Sequence, residues 1–414
     1  MHTPLDENAF AGVFRAGDSR RFGLDLKKDR ATIIAAAKAT AHIGFSVYSP
    51  IYITTANGRP CSSVKDYSQT LILRILAKFI ARRFRVSIDS RERMVRGVIE
   101  ALADSTPLYI VRRDMSSFYE TLPLGDLIRR LTYDIFIPTI LRQHLNCFFQ
   151  TFCPAGAVGL PRGICMSPIL AELGMEIFDK KVQSLPGVYK YFRYSDDILI
   201  FSYLPTDKIE AELPNILPSG MKFNKSKSFS TSLNCDKKPN QAIHSIEYLG
   251  YSYTVSDLCG EKEPRRVEVA IAERKISKLK TRIFRCFKAH EKDKLFDLLR
   301  DRLQFLSSNY VVHRHGVTAI KSSKLVKSGI YYNYRLCGMY SKGEVKPHFG
   351  RELKALDGFY QALIKPGTNI GSKLTAAQYS DLRRISFFKG YELKHTTRFA
   401  PDRVAALKRV WKNA

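Results

Sequence analysis

YKYFRYSDDILIF, residues 189–201, is the stretch on which the reading of this chain turns. Tyr189, Tyr191 and Arg193 alternate along one arm, and Ile198, Leu199, Ile200 and Phe201 form an apolar second arm. Alternation next to a short apolar run, with a turn between them, is the pattern of a β-hairpin packed on a core. The turn contains Tyr194-Ser195-Asp196-Asp197. Two adjacent carboxylates repel each other and contribute nothing to the hairpin itself. On the doublet alone, a solvated surface turn explains them as well as a metal site does.

A third acid changes the reading. Leu108-Tyr-Ile-Val111 reads as a short buried strand that runs into Arg112-Arg113-Asp114. If that strand and the 188–203 hairpin share a sheet, Asp114 can meet Asp196 and Asp197. Transfer of a nucleotide to a 3′-hydroxyl uses two divalent cations about 3.5–4 Å apart. Mg²⁺ prefers oxygen ligands, so a few carboxylates on rigid strand ends suit it.

The neighbouring residues carry a family resemblance, and in order. Asp114-Met-Ser-Ser-Phe118-Tyr119 resembles motif A of the reverse transcriptases, Gly159-Leu-Pro-Arg-Gly163 with Ser167-Pro168 resembles motif B, and Tyr194-Ser-Asp-Asp197 is similar to motif C. Phe223-Asn-Lys-Ser-Lys227-Ser228 resembles motif D, and Tyr248-Leu-Gly-Tyr251 resembles the primer-grip motif E. The resemblance covers about residues 50–255. It implies an α/β right-hand polymerase, with an N-terminal extension over 1–30, fingers and palm over 31–260, and a helical thumb with a basic helical extension over 261–414. It also implies two Mg²⁺ ions, with Mn²⁺ as a substitute.

Roles follow from the resemblance, residue by residue. Asp114 and Asp196 would bind both metals with the backbone carbonyl of Met115, and Asp197 would support them. Tyr119 would be the steric gate that favours dNTPs, although the residue alone reads better as a core aromatic. Gly163 would let the backbone approach the incoming base pair. Arg162 stands where many relatives carry Gln, and would touch the triphosphate or cover the base pair. Arg59 resembles the basic fingers residue, or is a surface Arg. Lys227 would protonate the leaving pyrophosphate, with Lys225 as a competitor. Tyr248, Leu249 and Gly250 would grip the primer.

The rest of the chain supplies charge. The 414 residues carry a net charge of +28, so a polyanion is the first partner to consider. Residues 261–414 hold 34 Lys and Arg against 14 Asp and Glu, a net of +20, leaving +8 for residues 1–260. Past residue 264 the pattern reads as mostly helical. Ile276, Leu279, Ile283 and Cys286 fall on one helical face, while Arg274, Lys278 and Arg282 lie among the basic residues around it. Tyr331, Tyr332 and Tyr334 would stack on RNA bases or prime synthesis, or else pack a helical domain. Elsewhere, residues 31–48, 66–104, 124–150 and 168–182 read as helices, and residues 48–54 before Asn57-Gly58 as part of a hairpin.

The eight cysteines show no C-x-x-C and no His at zinc spacing, which excludes the common zinc modules and fits reduced thiols. The opening MHTPLDENAF lacks the pattern of a signal peptide, and no apolar run approaches a membrane span, so the expectation is a cytoplasmic protein with no membrane partner. The expected partners are an RNA template, a DNA product and dNTPs, with a homo-oligomer or a partner protein compatible. Sparse acids past 260 argue against a ribonuclease H domain. The phrases KLKTRIF, FLSSNY and GIYYNY are similar to bacterial reverse transcriptases of the unknown groups, which implies antiphage defence on a structured noncoding RNA. A retron-type enzyme, an RNA-dependent RNA polymerase and a catalytically idle RNA-binding scaffold are the alternatives.

Overall fold

The computed structural model describes residues 5–15, 17–54, 60–154, 156, 158–234, 243–256, 265–313, 325–341, 344–347 and 350–411. By packing, the chain divides into two compact units that are not continuous in sequence. One contains residues 1–89 and 109–231, and the other contains 90–108, 232–312 and 325–414. The linear division at 30 and 260 follows motif order, whereas the compact units follow which segments share a core.

In the first unit, β1 (Pro50–Thr54) and β2 (Pro60–Val64) form an antiparallel pair. Asn57-Gly58 and Arg59, on the connection between them, lie outside the described residues. A four-stranded sheet in the order β4-β5-β3-β6 is built from β3 (Leu108–Asp114), β4 (Val188–Tyr194), β5 (Asp197–Ser202) and β6 (Phe229–Leu233). Strand β5 is central, and Ile198 to Phe201 are all fully buried, as expected of an apolar run covered on both faces. The helix Ser167–Gln183 packs on β4 and opens with Pro168 in its first turn, where a missing N–H costs nothing.

Three expected helices differ in extent. The helix near 31–48 runs over Arg30–Ile43 and stops at Gly44, whose φ of 79° only glycine adopts readily. The stretch 66–104 is two helices, Tyr67–Arg83 and Arg91–Leu102, each started by its own cap, Asp66 and Ser90. The stretch 124–150 is also two, Gly125–Thr132 and Thr139–Phe152, because Pro138 disfavours a helical residue before it.

The second unit has a five-stranded sheet in the order β13-β12-β9-β8-β7. Its strands are β7 (Ile243–Tyr248), β8 (Tyr251–Ser256), β9 (Val267–Ile271), β12 (Gly338–Ser341) and β13 (Glu344–Pro347), while β10 (Asn309–His313) pairs with β11 (Leu325–Gly329). Among the described residues past 264, five strands accompany the helices of a region expected to be mostly helical. In β9 the buried residues are Val267, Val269 and Ile271, a period of two that marks a strand. Helices still dominate there: Glu273–Asp293 buries Ile276, Ile283, Cys286 and Phe287 and turns its basic residues outward. No helix among the described residues is long and apolar enough to cross a membrane.

Candidate active site

Strand register brings the three acids together. Asp114 lies directly opposite Asp197 in the β3–β5 pair, so their side chains leave the same face of the sheet. Tyr194 pairs with Asp197 across β4–β5, leaving Ser195 and Asp196 as the two turn residues. Ser195 takes φ of 58°, as the first residue of a tight hairpin turn can. The Met115 N–H then donates to the Asp196 carbonyl at 2.9 Å, tying the end of β3 to the turn.

Two of the three acids have a cation beside them. Lys227 Nζ stands 3.2 and 3.1 Å from the two carboxylate oxygens of Asp114, in a short turn capped by Asn224. Lys225 makes no such contact among the described residues. Arg112 donates to Asp197 Oδ1 at 3.2 Å and Oδ2 at 3.4 Å. Burial pushes the Asp196 carboxyl above its ordinary 3.8, and the Asp114 charge pushes it further. Burial likewise raises Asp197, and repulsion from Asp114 and Asp196 adds to it against the pull of Arg112. Among the described residues no three Asp, Glu, His or Cys side chains are already gathered as a metal cage. The donor set still fits Mg²⁺, which is commonly held by one or two carboxylates and completed by substrate phosphates.

Further contacts hold the site in place. The Asn224 N–H donates to the Asp114 carbonyl at 2.7 Å, and the Ser116 N–H donates to the Lys222 carbonyl at 2.9 Å, so the 222–224 segment brackets Asp114. Arg193, with a side chain only 3% exposed, bonds Asp179 and Glu172 at 2.6 Å each and reaches the Ser195 carbonyl at 3.3 Å. Glu172 and Asp179 lie seven apart on the helix Ser167–Gln183, two turns along one face. That spacing, together with an Arg immediately before Tyr-x-Asp-Asp, was a legible signal. Arg112, two residues before Asp114 on the same strand face, was another.

A cleft of about 980 Å³ in the first unit is lined by Tyr119, Arg162, Gly163, Asp196 and Lys227. Tyr119 is largely buried, and burial raises its hydroxyl pKa, with Ser195 within hydrogen-bonding reach. Arg162 does not stand free to meet a phosphate: it makes a two-pronged bond to Glu120 and lies 5.3 Å from the centre of the Tyr119 ring. Gly163 has φ of 91°, and a Cβ there would sit 2.4 Å from the Ser62 carbonyl oxygen of β2. Its close approach is to the protein's own hairpin, where Ser62 N–H donates to the Arg162 carbonyl at 2.7 Å. Gly163→Ala is therefore expected to displace β2 from the loop and raise the KM for nucleotide about tenfold or more, a conformational strain of 1–2 kcal/mol combined with the clash. Steady-state kinetics at varied dNTP would check it, and an unchanged KM would mean that the cleft does not depend on this contact.

The other sequence candidates lie in the second unit. Tyr248, Leu249 and Gly250 form the end of the β7–β8 hairpin, with Leu249 and Gly250 at φ of 49° and 80°. The Tyr248 side chain is fully buried, so it serves the core. Arg91 Nε donates to the Leu249 carbonyl at 2.7 Å and holds that strained turn. Arg274 pairs with Glu247 at 3.5 Å, Lys278 is exposed, and Arg282 is half-buried. Tyr334 packs edge-on to Tyr251, and Tyr331 packs against Tyr332 and Tyr391 with Lys394 over its ring.

Residues 59–253 match the reverse transcriptase (RNA-dependent DNA polymerase) family. Over those residues, rather less than half of its length, the chain is similar to a reverse transcriptase domain. The mixed helix-and-sheet architecture is consistent with a right-hand polymerase fold. Reverse transcriptase domains generally use divalent metal ions. No curated protein matches the chain in sequence. Among solved structures, it resembles apo telomerase from Candida tropicalis truncated from its C-terminal domain, at 12% identity over 44% of this chain and 43% of that one, with a TM-score of 0.30. It also resembles telomerase from Candida albicans in complex with a TWJ fragment of telomeric RNA, at 15% identity over 82% of this chain and 53% of that one, with a TM-score of 0.33. The chain thus spans about half the length of these structures or less, and at such TM-scores neither likeness bears on function.

Proposed function

We propose that the chain copies an RNA template into DNA by adding dNTPs to a primer 3′-hydroxyl, with Asp114 and Asp196 holding two divalent metals and Asp197 supporting them. The observation that carries this reading is the register that sets Asp114 opposite Asp197 with Asp196 in the adjoining turn. When bound, the metal ions acidify the attacking hydroxyl and neutralise the triphosphate. The chain's own residues do the rest. Lys227 is placed beside Asp114, where its ammonium can hold a proton for the leaving pyrophosphate. Tyr119 forms a wall of the cleft, and Arg112 offsets the charge of Asp197, leaving Asp114 and Asp196 as the primary ligands.

Primer extension on an RNA template with Mg²⁺ tests the reading, using dNTPs and rNTPs in parallel. Full-length DNA that disappears with a chelator supports it, and incorporation of rNTPs alone would overturn it. Tyr119→Ala is expected to keep DNA synthesis while raising rNTP use on the order of a hundredfold, because a bulky ring no longer meets the 2′-hydroxyl. Unchanged discrimination would remove Tyr119 from the gate role.

The finer reading is a cytoplasmic antiphage enzyme working on a structured noncoding RNA. Its support is the net +20 of residues 261–414 and the similarity of KLKTRIF, FLSSNY and GIYYNY to the bacterial unknown groups. Sequencing the RNA that co-purifies with the chain, and the DNA it yields, tests this directly.

A further inference from the structure

The cleft that holds Asp196 and Lys227 also holds Arg15 and Arg21, both outside the segment that matches the reverse transcriptase family. Arg21 belongs to the short helix Asp18–Phe22, and Arg15 precedes it. Behind them lies a buried network. Arg74, on the helix Tyr67–Arg83, donates to Asp18 through two bonds of 2.5 and 2.7 Å and to the Val13 carbonyl at 3.0 Å. Tyr67 donates its hydroxyl to Asp18 at 2.9 Å, and the Arg15 backbone N–H donates to Asp18 at 2.9 Å. Burial works against the Asp18 charge, but the bonds from Arg74 outweigh it and hold this carboxyl below its ordinary value.

Asp18 accepts two bonds from Arg74, one from Tyr67 and one from a backbone amide, so most of its acceptor capacity serves the segment's own anchor. Arg21 reaches only the Ser63 hydroxyl and the Val64 carbonyl. Among the described residues neither the Arg15 nor the Arg21 guanidinium bonds a carboxylate. Three guanidiniums thus share one acid, a local surplus of positive charge in a cleft that also holds Arg162, Lys227 and the Asp196 carboxylate. A guanidinium fork matches phosphate oxygens, and a nucleoside triphosphate carries both the oligophosphate and the metal requirement.

We propose that Arg15 and Arg21 bind the β- and γ-phosphates of the incoming nucleoside triphosphate, so that the N-terminal segment completes the nucleotide site and the Arg74–Asp18–Tyr67 network holds it in place. This rests on the polymerase reading. It differs from that reading in giving part of the substrate site to residues before the matched domain. A phosphate of the bound template offers the same chemistry, and the test separates the two sources.

The experiment uses the full chain with Arg15→Gln, Arg21→Gln, the double variant, and Arg21→Lys. Three quantities are measured: the KM for dNTP in primer extension, the inhibition constant of inorganic tripolyphosphate, and primer–template affinity by fluorescence anisotropy. Each Gln variant is expected to raise the KM and the tripolyphosphate constant together by about tenfold, the scale of one charge-assisted hydrogen bond, with primer–template affinity unchanged. Arg21→Lys is expected to recover part of the loss. An unchanged KM in the folded double variant overturns the inference, as does weakened primer–template binding with KM intact, which would give these cations to the template backbone. A wild-type chain that extends no primer sinks the polymerase reading alone. Equilibrium binding of tripolyphosphate to wild type and double variant then still decides the site, and equal affinity overturns it.

Discussion

Asp196→Asn is expected to lower dNTP incorporation by on the order of 10³-fold or more while making the metal-free protein more stable at neutral pH. The first effect follows from losing a ligand whose metal contributes several kcal/mol at the transition state, at about 1.4 kcal/mol per factor of ten. The second follows from the raised carboxyl. Unfolded, the group releases its proton near 3.8, whereas folded it keeps the proton to higher pH because it is buried beside Asp114. Ionisation therefore costs folding free energy as pH rises through that window, and the cost stays at every higher pH. Asn removes it. The stability advantage of the variant should vanish near pH 3.8, grow through the raised pKa and then level off. Thermal melts against pH check this, and Mg²⁺ should stabilise the wild type more than the variant, by about 2.7 kcal/mol at a hundredfold excess over Kd if the variant loses binding altogether. Equal metal stabilisation of both proteins would separate Asp196 from the metals.

Arg193→Ala should produce the second large effect, a loss of about 3 kcal/mol of stability, because it removes a buried guanidinium and leaves the partly buried Glu172 and Asp179 without their cation. The same substitution frees the Ser195 carbonyl, so polymerase activity should fall beyond what partial unfolding explains. The combination Arg193→Met, Glu172→Gln and Asp179→Asn removes the charges together. It is expected to regain most of the stability and little of the activity, since the anchor on the turn is still missing. Urea denaturation with primer extension on the same samples reads both. Full recovery of activity in the triple variant would reduce Arg193 to a structural role.

The candidate site acids were legible because their spacing is local. Tyr-x-Asp-Asp between two strand patterns specifies a hairpin with acids in its turn, and a strand ending at Asp114 specifies a second rigid support. The same logic succeeded for the apolar run of β5. It failed for β9, where three alternating residues past 264 were absorbed into a helical reading, and for the two long helices, where caps and Pro138 break a continuous apolar period. Arg162 shows a different limit. Its place in the motif B resemblance implied contact with the triphosphate or a cover over the base pair, whereas its partner here is Glu120, 42 residues earlier, which takes a two-pronged bond. No local pattern announces that partner.

From its sequence, this protein has a strand-borne acid, a turn-borne acid pair and a basic C-terminal third, because side-chain period and charge are properties of neighbouring residues. Only tertiary structure decided which carboxylates face one another, that Lys227 and Arg112 neutralise different acids, and that Arg15 and Arg21 join the cleft of Asp196. Those pairings come from strand register and from packing between segments up to about 180 residues apart in the chain, and close approach over such separations is fixed by the shared core rather than by any local run of residues.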